Sequence, residues 1–386
     1  MKRIILLLIL FGFPALLSAF IIDHTCTDIT QIPESAILAA KDSLHIGYGH
    51  TSHGWQITYG MDGLVEFANN GGKGLSLPTD IFAFNNGGTG GALDFEDGSG
   101  YDPGWLELDC GYYPSWVNET REYLDSASHS DVNVIMWSWC GQVSGEYSSG
   151  VLWEQYLGPM SQLEIEYPHV TFIYMTGHVD IYNDSCNKAA NDSIRSFCRN
   201  NGKVLFDFAD FDRHDPEGTY YEFVNDNCDY YDSLGGSVQG NWGIEWQNTH
   251  TEGVDWYSTP GSHTQSINEN QKGYAAWWMW ARLAGWEGPA GAEENPDSDS
   301  NLKLSVSNSV NVISNNLIEI SFSIPNDGLT TIDAYNSVGI KIASIFRGSL
   351  SAGSHSCSWN RYGLSGIVII RLKQGSGITS VKLNCL

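Results

Sequence analysis

The stretch "LHIGYGHTSHG", Leu44–Gly54, decides how the chain is read. Its first half is short, apolar and rich in small residues, the pattern of a buried strand. Its second half sets Ser52 among polar residues between Gly49 and Gly54. A strand that ends in such a turn before a helix exposes a serine hydroxyl and aims backbone N–H groups at the reaction site. Serine in a glycine-rich turn is also common without any chemical role. The rest of the chain has to choose between the two.

Similar apolar runs recur downstream: "DIFAF" (Asp80–Phe84), "VNVIMWSW" (Val132–Trp139), "VTFIYMTG" (Val170–Gly177) and "KVLFDFAD" (Lys203–Asp210). Between them the pattern predicts helices near 34–42, 116–127, 150–167, 185–200 and 268–284, the last stopped by Gly285. Short continuous apolar runs that alternate with helices predict a three-layer α/β domain: an open, mostly parallel sheet with helices on both faces. In such sheets ligands bind beyond the carboxyl ends of the strands. That reading puts Ser52, Gly88 in the "NNGGTGG" cluster, Gln142 after "WC", and His178 after "YMTG" at one rim.

The ends of the chain read differently. "MKRIILLLILFGFPALLSAF" has the basic start, apolar middle and small residues of a secretory signal peptide, cut after Ala19. No other run is apolar enough to predict a stable membrane span. Residues 20–286 form the large α/β domain. "EGPAGAEENPDSDSN", residues 287–301, is acidic and poor in bulky apolar residues, as an exposed linker is. Residues 302–386 carry short strand-like runs with Gly, Asn and Ser turns, which predict an all-β sandwich.

The net charge of the chain is −26. From Asn301 onward only Glu319, Asp327 and Asp333 are acidic, against seven basic residues, so the acid lies in the large region. A surface this acidic repels polyanions, which argues against nucleic acid and polyuronates as partners. The even count of eight cysteines in an exported chain predicts disulfides, with Cys357 and Cys385 of the tail bridging each other. Nothing in the spacing points to a structural zinc site, and no cofactor or metal is expected.

"GSHTQSINENQKGYAAWWMWARLAGW" places His263 five residues before Asn268, where a long amphipathic helix begins. With this histidine, residues 44–286 resemble the SGNH/GDSL hydrolase superfamily. The resemblance rests on order: a serine after the first strand (Ser52), a glycine cluster (Gly87–Gly91), a polar loop ("WCGQ") and a histidine before the last helix. It implies Ser52 as nucleophile, His263 as general base, and Gly88 with Gln142 as oxyanion donors. The family's Gly-Asp-Ser block reads His50-Thr51-Ser52 here, and the position of its usual acid, three residues before the histidine, is Pro260. Asp255, Asp180 and Asp210 stand as candidates for orienting His263, as does a Ser–His dyad without an acid.

His50, His53 and His178 are read as lining the substrate cleft. Trp139 and Trp246 are read as surfaces for stacking on sugar rings. The implied activity is hydrolysis of acyl esters, such as acetyl groups on a neutral polysaccharide. Two other readings stand beside it: a non-catalytic glycan-binding protein on the same fold, and a metal-dependent hydrolase built on His50, His53, His178 and Asp180.

The tail resembles the C-terminal sorting domain of type IX secretion substrates. The marks are "NSVGIKI", "GSLSAGSHSCSWN" and "GLSGIVIIRL". That resemblance implies the type IX machinery as partner and release to, or display on, the outer surface of a Gram-negative cell.

Overall fold

The computed structural model describes residues 20–98 and 106–289, and in the tail 302–307, 317–324, 326–336, 341–360, 366–374 and 377–385. The expected signal peptide and residues 290–301 of the expected linker lie outside them. The chain divides into two units, Met1–Gly291 and Ala292–Leu386.

In the first unit the apolar runs become the strands of one sheet. They are β1 (Ile21–Ile22), β2 (His45–Gly49), β3 (Phe84–Asn85), β4 (Leu93–Gly98), β5 (Val134–Trp137), β6 (Thr171–Met175) and β7 (Val204–Phe206). Their order is β1-β7-β6-β5-β2-β4-β3, and every pairing is parallel. All four residues of β5 are buried, as a central strand covered on both faces requires. The helices are α1 (Glu34–Ser43), α2 (Trp55–Asn69), α3 (Ser115–Asp125), α4 (Val143–Ser148), α5 (Gly158–Glu166), α6 (Asp184–Asn201), α7 (Phe208–Arg213), α8 (Trp242–Thr249) and α9 (Ser266–Leu283). One group packs α1 and α2 against α9; another packs α3 against α5 and α4 against α6. A small antiparallel hairpin, β8 (Asp229–Tyr231) and β9 (Val238–Asn241), precedes α8.

Of the run "DIFAF" only Phe84 is strand, as the first residue of the two-residue β3. Asp80 takes a left-handed φ of 59° and its backbone N–H and carboxylate are held by the Asn69 amide at the end of α2, both at 2.8 Å. Ile81 and Phe82 are buried from a turn, so apolarity here marks burial and not extension. The longer strand of this part of the sheet is β4, which follows the glycine cluster and carries β3 at its edge.

α2 begins at the Ser52 turn, and α9 begins just after His263. The two helices cross where glycines face each other. A Cβ on Gly60 would lie 2.0 Å from the Glu269 carbonyl oxygen, and one on Gly273 would lie 2.4 Å from the Gly60 carbonyl carbon. Beside the crossing, the fully buried Lys272 ammonium donates to Asp212 Oδ1 at 2.6 Å and Gln56 Oε1 at 2.5 Å, 4.0 Å over the Phe208 ring. Asp212 also accepts from Asn268 and from the Val179 N–H. One buried ion pair therefore joins α2, α7, α9 and the segment after β6, and each of its charges is well supplied with hydrogen bonds.

The loop after β5 leads to Gln142 and α4. Asp109 accepts from the Thr51 hydroxyl at 2.5 Å, from the Gly111 N–H and from the Gln142 side chain. Near it, Glu146 of α4 is buried, and neither carboxylate oxygen has a hydrogen-bond partner among the described residues. Burial, and then the charge of Asp109, push the Glu146 carboxyl up to about 8.

The second unit comprises β10 (Lys303–Ser307), β11 (Leu317–Ile324), β12 (Gly328–Asn336), β13 (Lys341–Leu350), β14 (Gly353–Asn360), β15 (Gly366–Gln374) and β16 (Gly377–Cys385). They form two antiparallel sheets, β10-β11-β14 and β13-β12-β15-β16. Ile320 and Phe322 of one sheet share a core with Ile332, Ile370 and Leu372 of the other. The expected disulfides are not formed among the described residues: Cys26, Cys110, Cys140, Cys186, Cys198, Cys228 and Cys357 are free thiols. Cys357 lies on β14 and Cys385 on β16, in different sheets. Cys110, Cys198 and Cys228 are buried on separate elements and act as small apolar side chains.

Two outcomes follow from this packing. Gly60→Ala forces α2 off α9 and lowers stability by about 1–3 kcal/mol in urea denaturation, whereas Gly145→Ala, whose Cβ meets nothing within 4 Å, does not destabilise. Because the folded state holds Glu146 protonated, it contributes stability below the unfolded carboxyl range and loses it as pH rises to about 8. Glu146→Gln removes that loss. Its thermal midpoint relative to wild type therefore climbs between pH 5 and pH 8 and levels off above, by about 2–4 °C for each kcal/mol recovered.

Candidate functional site

Strand β2 delivers the chain to a tight turn. Thr51 is extended, Ser52 takes a strained φ of 25°, and α2 starts at Trp55. Gly54 has no room for a side chain: a Cβ there would sit 2.2 Å from His50 Cβ and 2.7 Å from Ser138 Oγ. The Tyr48 hydroxyl donates to the Gly54 carbonyl at 3.0 Å, and the Gly54 N–H donates to the Thr51 carbonyl at 2.7 Å. With Thr51 held by Asp109, the turn leaves Ser52 half-buried at the carboxyl edge of the sheet. This is the strand–turn–helix form in which a serine hydroxyl is presented for attack.

His263 arrives from 211 residues away and places Nε2 at 2.5 Å from Ser52 Oγ. Its loop is pinned on both sides. The Ser262 hydroxyl donates to the Ser52 carbonyl at 2.8 Å, the Gln56 amide donates to the Ser262 carbonyl at 2.6 Å, and the Ser262 N–H donates to Glu269 Oε1 at 2.6 Å. Left-handed φ values at Gly261 (76°) and His263 (64°) turn the ring back toward the serine. His263 is exposed, so the pair faces solvent.

The candidate orienting acids are engaged elsewhere. Asp255 accepts from the Thr251 N–H, Asp180 caps the turn at Tyr182 and Asn183, and Asp210 holds His24. The face of the His263 ring rests instead on His53, with centroids 4.2 Å apart, and His53 stacks in turn on His178 at 3.7 Å. Asp226, which nothing in the sequence singled out, faces this stack and takes His53 Nε2 at 3.1 Å. Burial drives His53 down to about 4, against the pull of Asp226, with the neighbouring imidazoles acting in the same direction as burial. Burial pushes Asp226 up, but the His53 hydrogen bond and the three imidazoles outweigh it and hold it below the usual carboxylate range. His178 Nδ1 lies 2.6 Å from the Val179 carbonyl, an acceptor that fixes the proton on that nitrogen.

Not every residue chosen from the sequence is brought to this place. Ser52, His53, His178 and His263 are together, and Gln142 is tied through Asp109 to the Thr51 turn. His50 is fully buried under the turn, bonded through Nε2 to Asp97 and stacked on Tyr48. Gly88 lies at the other end of the sheet. The Gly87 N–H donates to Asp94, and Asp94 pairs with His45 at the start of β2, four residues below Gly49. The glycine cluster joins the two-residue β3 to the start of β4, so it supplies no donor near Ser52. Trp139 is buried in the core with its indole N–H on the Met175 carbonyl, and Trp246 is buried against His250. Neither offers a face to a sugar.

No family model matches the chain, and no curated protein matches it. Solved structures give faint likenesses. An FMN-binding beta-glucuronidase from Facaelibacterium prausnitzii L2-6 is 10% identical over 70% of this chain and 44% of its own, with a TM-score of 0.17. A modular endo-beta-1,4-mannanase from Cellulomonas fimi is 11% identical over 76% of this chain and 54% of its own, with a TM-score of 0.19. The chain spans about half the length of these structures, and likenesses at this level assign it to no family.

Proposed function

We propose that the large domain is a serine esterase acting on small acyl esters, with Ser52 as nucleophile and His263 as its base. The observation that supports this reading is the 2.5 Å contact between Ser52 Oγ and His263 Nε2 at a strand-to-helix elbow. Ser52 Oγ adds to the ester carbonyl carbon while its proton passes to His263 Nε2. The oxyanion is met by the Ser52 amide and the Gln142 carboxamide. Collapse breaks the C–O bond to the alcohol, which leaves with the proton from His263, and water then releases the acyl group by the same path. The base works as a dyad, since among the described residues no carboxylate bonds its second nitrogen.

The acidic surface suits a neutral carrier of the ester, such as an acetylated neutral polysaccharide, over a polyuronate. Stacking by Trp139 or Trp246 does not support that choice, because both are buried.

We further propose that the tail is a type IX sorting module of an exported protein, a reading supported by its resemblance and by its own antiparallel core. A reporter with a signal peptide, fused to residues 287–386 in a Gram-negative host with that machinery, is expected outside the outer membrane. Retention in the periplasm counts against the reading.

For the esterase, turnover of a chromogenic acetyl ester by Ser52→Ala and by His263→Ala is expected to fall by about 10³-fold or more, and the double variant by little more. Thermal midpoints stay within a few degrees, since at most about 1 kcal/mol of hydrogen bonding is lost. A fluorophosphonate is expected to label Ser52. Near-wild-type turnover in Ser52→Ala reduces the serine to a turn residue. Equal, negligible turnover in all four proteins favours a binding protein on the same fold.

A further inference from the structure

Beside the Ser52–His263 pair stands a group of donors that ester hydrolysis by that pair does not use. His53, His178 and Asp226 each offer a ligand atom, and these atoms lie within 4.8 Å of one another. They come from three parts of the fold: the turn after β2, the segment after β6 and the loop before β8. His50 and Asp180, which the sequence places with them, are spent on Asp97 and on a helical cap. We infer that His53, His178 and Asp226 form a binding site for one divalent transition-metal ion of the zinc class.

Three features support it. The His178 Nδ1 proton faces a backbone carbonyl, which leaves Nε2 as a lone pair and orients the ring, the second-shell arrangement usual for a metal-binding histidine. His53 meets Asp226 through Nε2, so a cation between them replaces that proton, which can pass to Nδ1 beside the Cys140 sulfur at 3.6 Å. Both imidazole and carboxylate suit zinc and its neighbours.

Some movement is needed. Donors on one tetrahedral ion at bond lengths of about 2.0–2.2 Å stand about 3.3 Å apart. The His53 and His178 rings, stacked within 3° of parallel, therefore tilt out of their stack on binding. His178 is half-buried and Asp226 keeps 32% of its side chain exposed, so both can make that adjustment and an ion can reach them. A cation here would put positive charge beside Ser52, where the glycine cluster supplies no donor.

The test is isothermal titration of tag-free, chelator-treated full-length protein with Zn²⁺, and with Co²⁺ for its visible spectrum. Wild type is expected to bind one ion per chain, with a Co²⁺ spectrum of low coordination number. His178→Ala and the near-isosteric Asp226→Asn are expected to lose at least about tenfold in affinity, with metal-free thermal midpoints within a few degrees of wild type. His24→Ala and His45→Ala, in the other two described groups of metal-type donors, are expected to retain the ion. Absence of stoichiometric binding, or binding that survives in both His178→Ala and Asp226→Asn, overturns the inference. The readout involves no ester turnover, so it stands or falls apart from the esterase reading.

Discussion

The contact on which the site depends is the crossing of α2 and α9 at Gly60 and Gly273. Two helices approach this closely only where neither presents a Cβ, and here each glycine's missing Cβ would strike the other helix's backbone. The consequence is felt at their amino ends. Ser52 stands just before α2 and His263 just before α9, so the crossing distance fixes how near the hydroxyl and the imidazole can come. The loop bonds from Gln56, Ser262 and Glu269 then set the last few ångströms. Two of those bonds are anchored on α2 and α9 and the third on the Ser52 turn, so the loop inherits the rigidity of the helices.

Electrostatics give the same region a second constraint. Lys272 is buried with Asp212, and its remaining donor capacity goes to Gln56, the residue that holds the histidine loop. A charge pair this deep adds little net stability over an apolar pair, but it penalises any arrangement that leaves one partner alone. It therefore selects one relative placement of α2, α7 and α9. At the rim, three imidazoles lie face to face with a single carboxylate near them. Burial holds the innermost, His53, in its neutral form, while His263 remains exposed and next to the serine.

Much of the fold is legible in the chain because burial on both faces leaves a simple mark. β2, β5, β6 and β7 each fall inside an apolar run, and α1, α3, α6 and α9 fall on their expected spans, although α9, expected to be amphipathic, is buried on every face from Ile267 to Ala281. The failure at "DIFAF" is equally physical. Ile81 and Phe82 are as buried as strand residues, yet Asn69 locks Asp80 into a turn, and hydropathy does not distinguish the two. Gly88 is misplaced for a related reason: the strand before it is only the two-residue β3, which ends level with the start of β4. Trp139 and Trp246 carry no sign of whether an indole is core or rim; Trp139 in fact fills the space under β5 and β6.

What the sequence by itself determined is the alternation that makes a parallel sheet, the division into an α/β unit and an antiparallel β unit, and the local chemistry of the Ser52 turn. These depend on residues close together in the chain, where period, apolar run length and glycine content act directly. Only the tertiary structure decided which distant groups meet. The 2.5 Å approach of His263 to Ser52 spans 211 residues, and Asp226 is one of 45 acidic residues with nothing local to mark it. Such meetings are fixed by helix crossings, buried charges and loop closure, and these interactions exist only once the sheet has brought its carboxyl ends together.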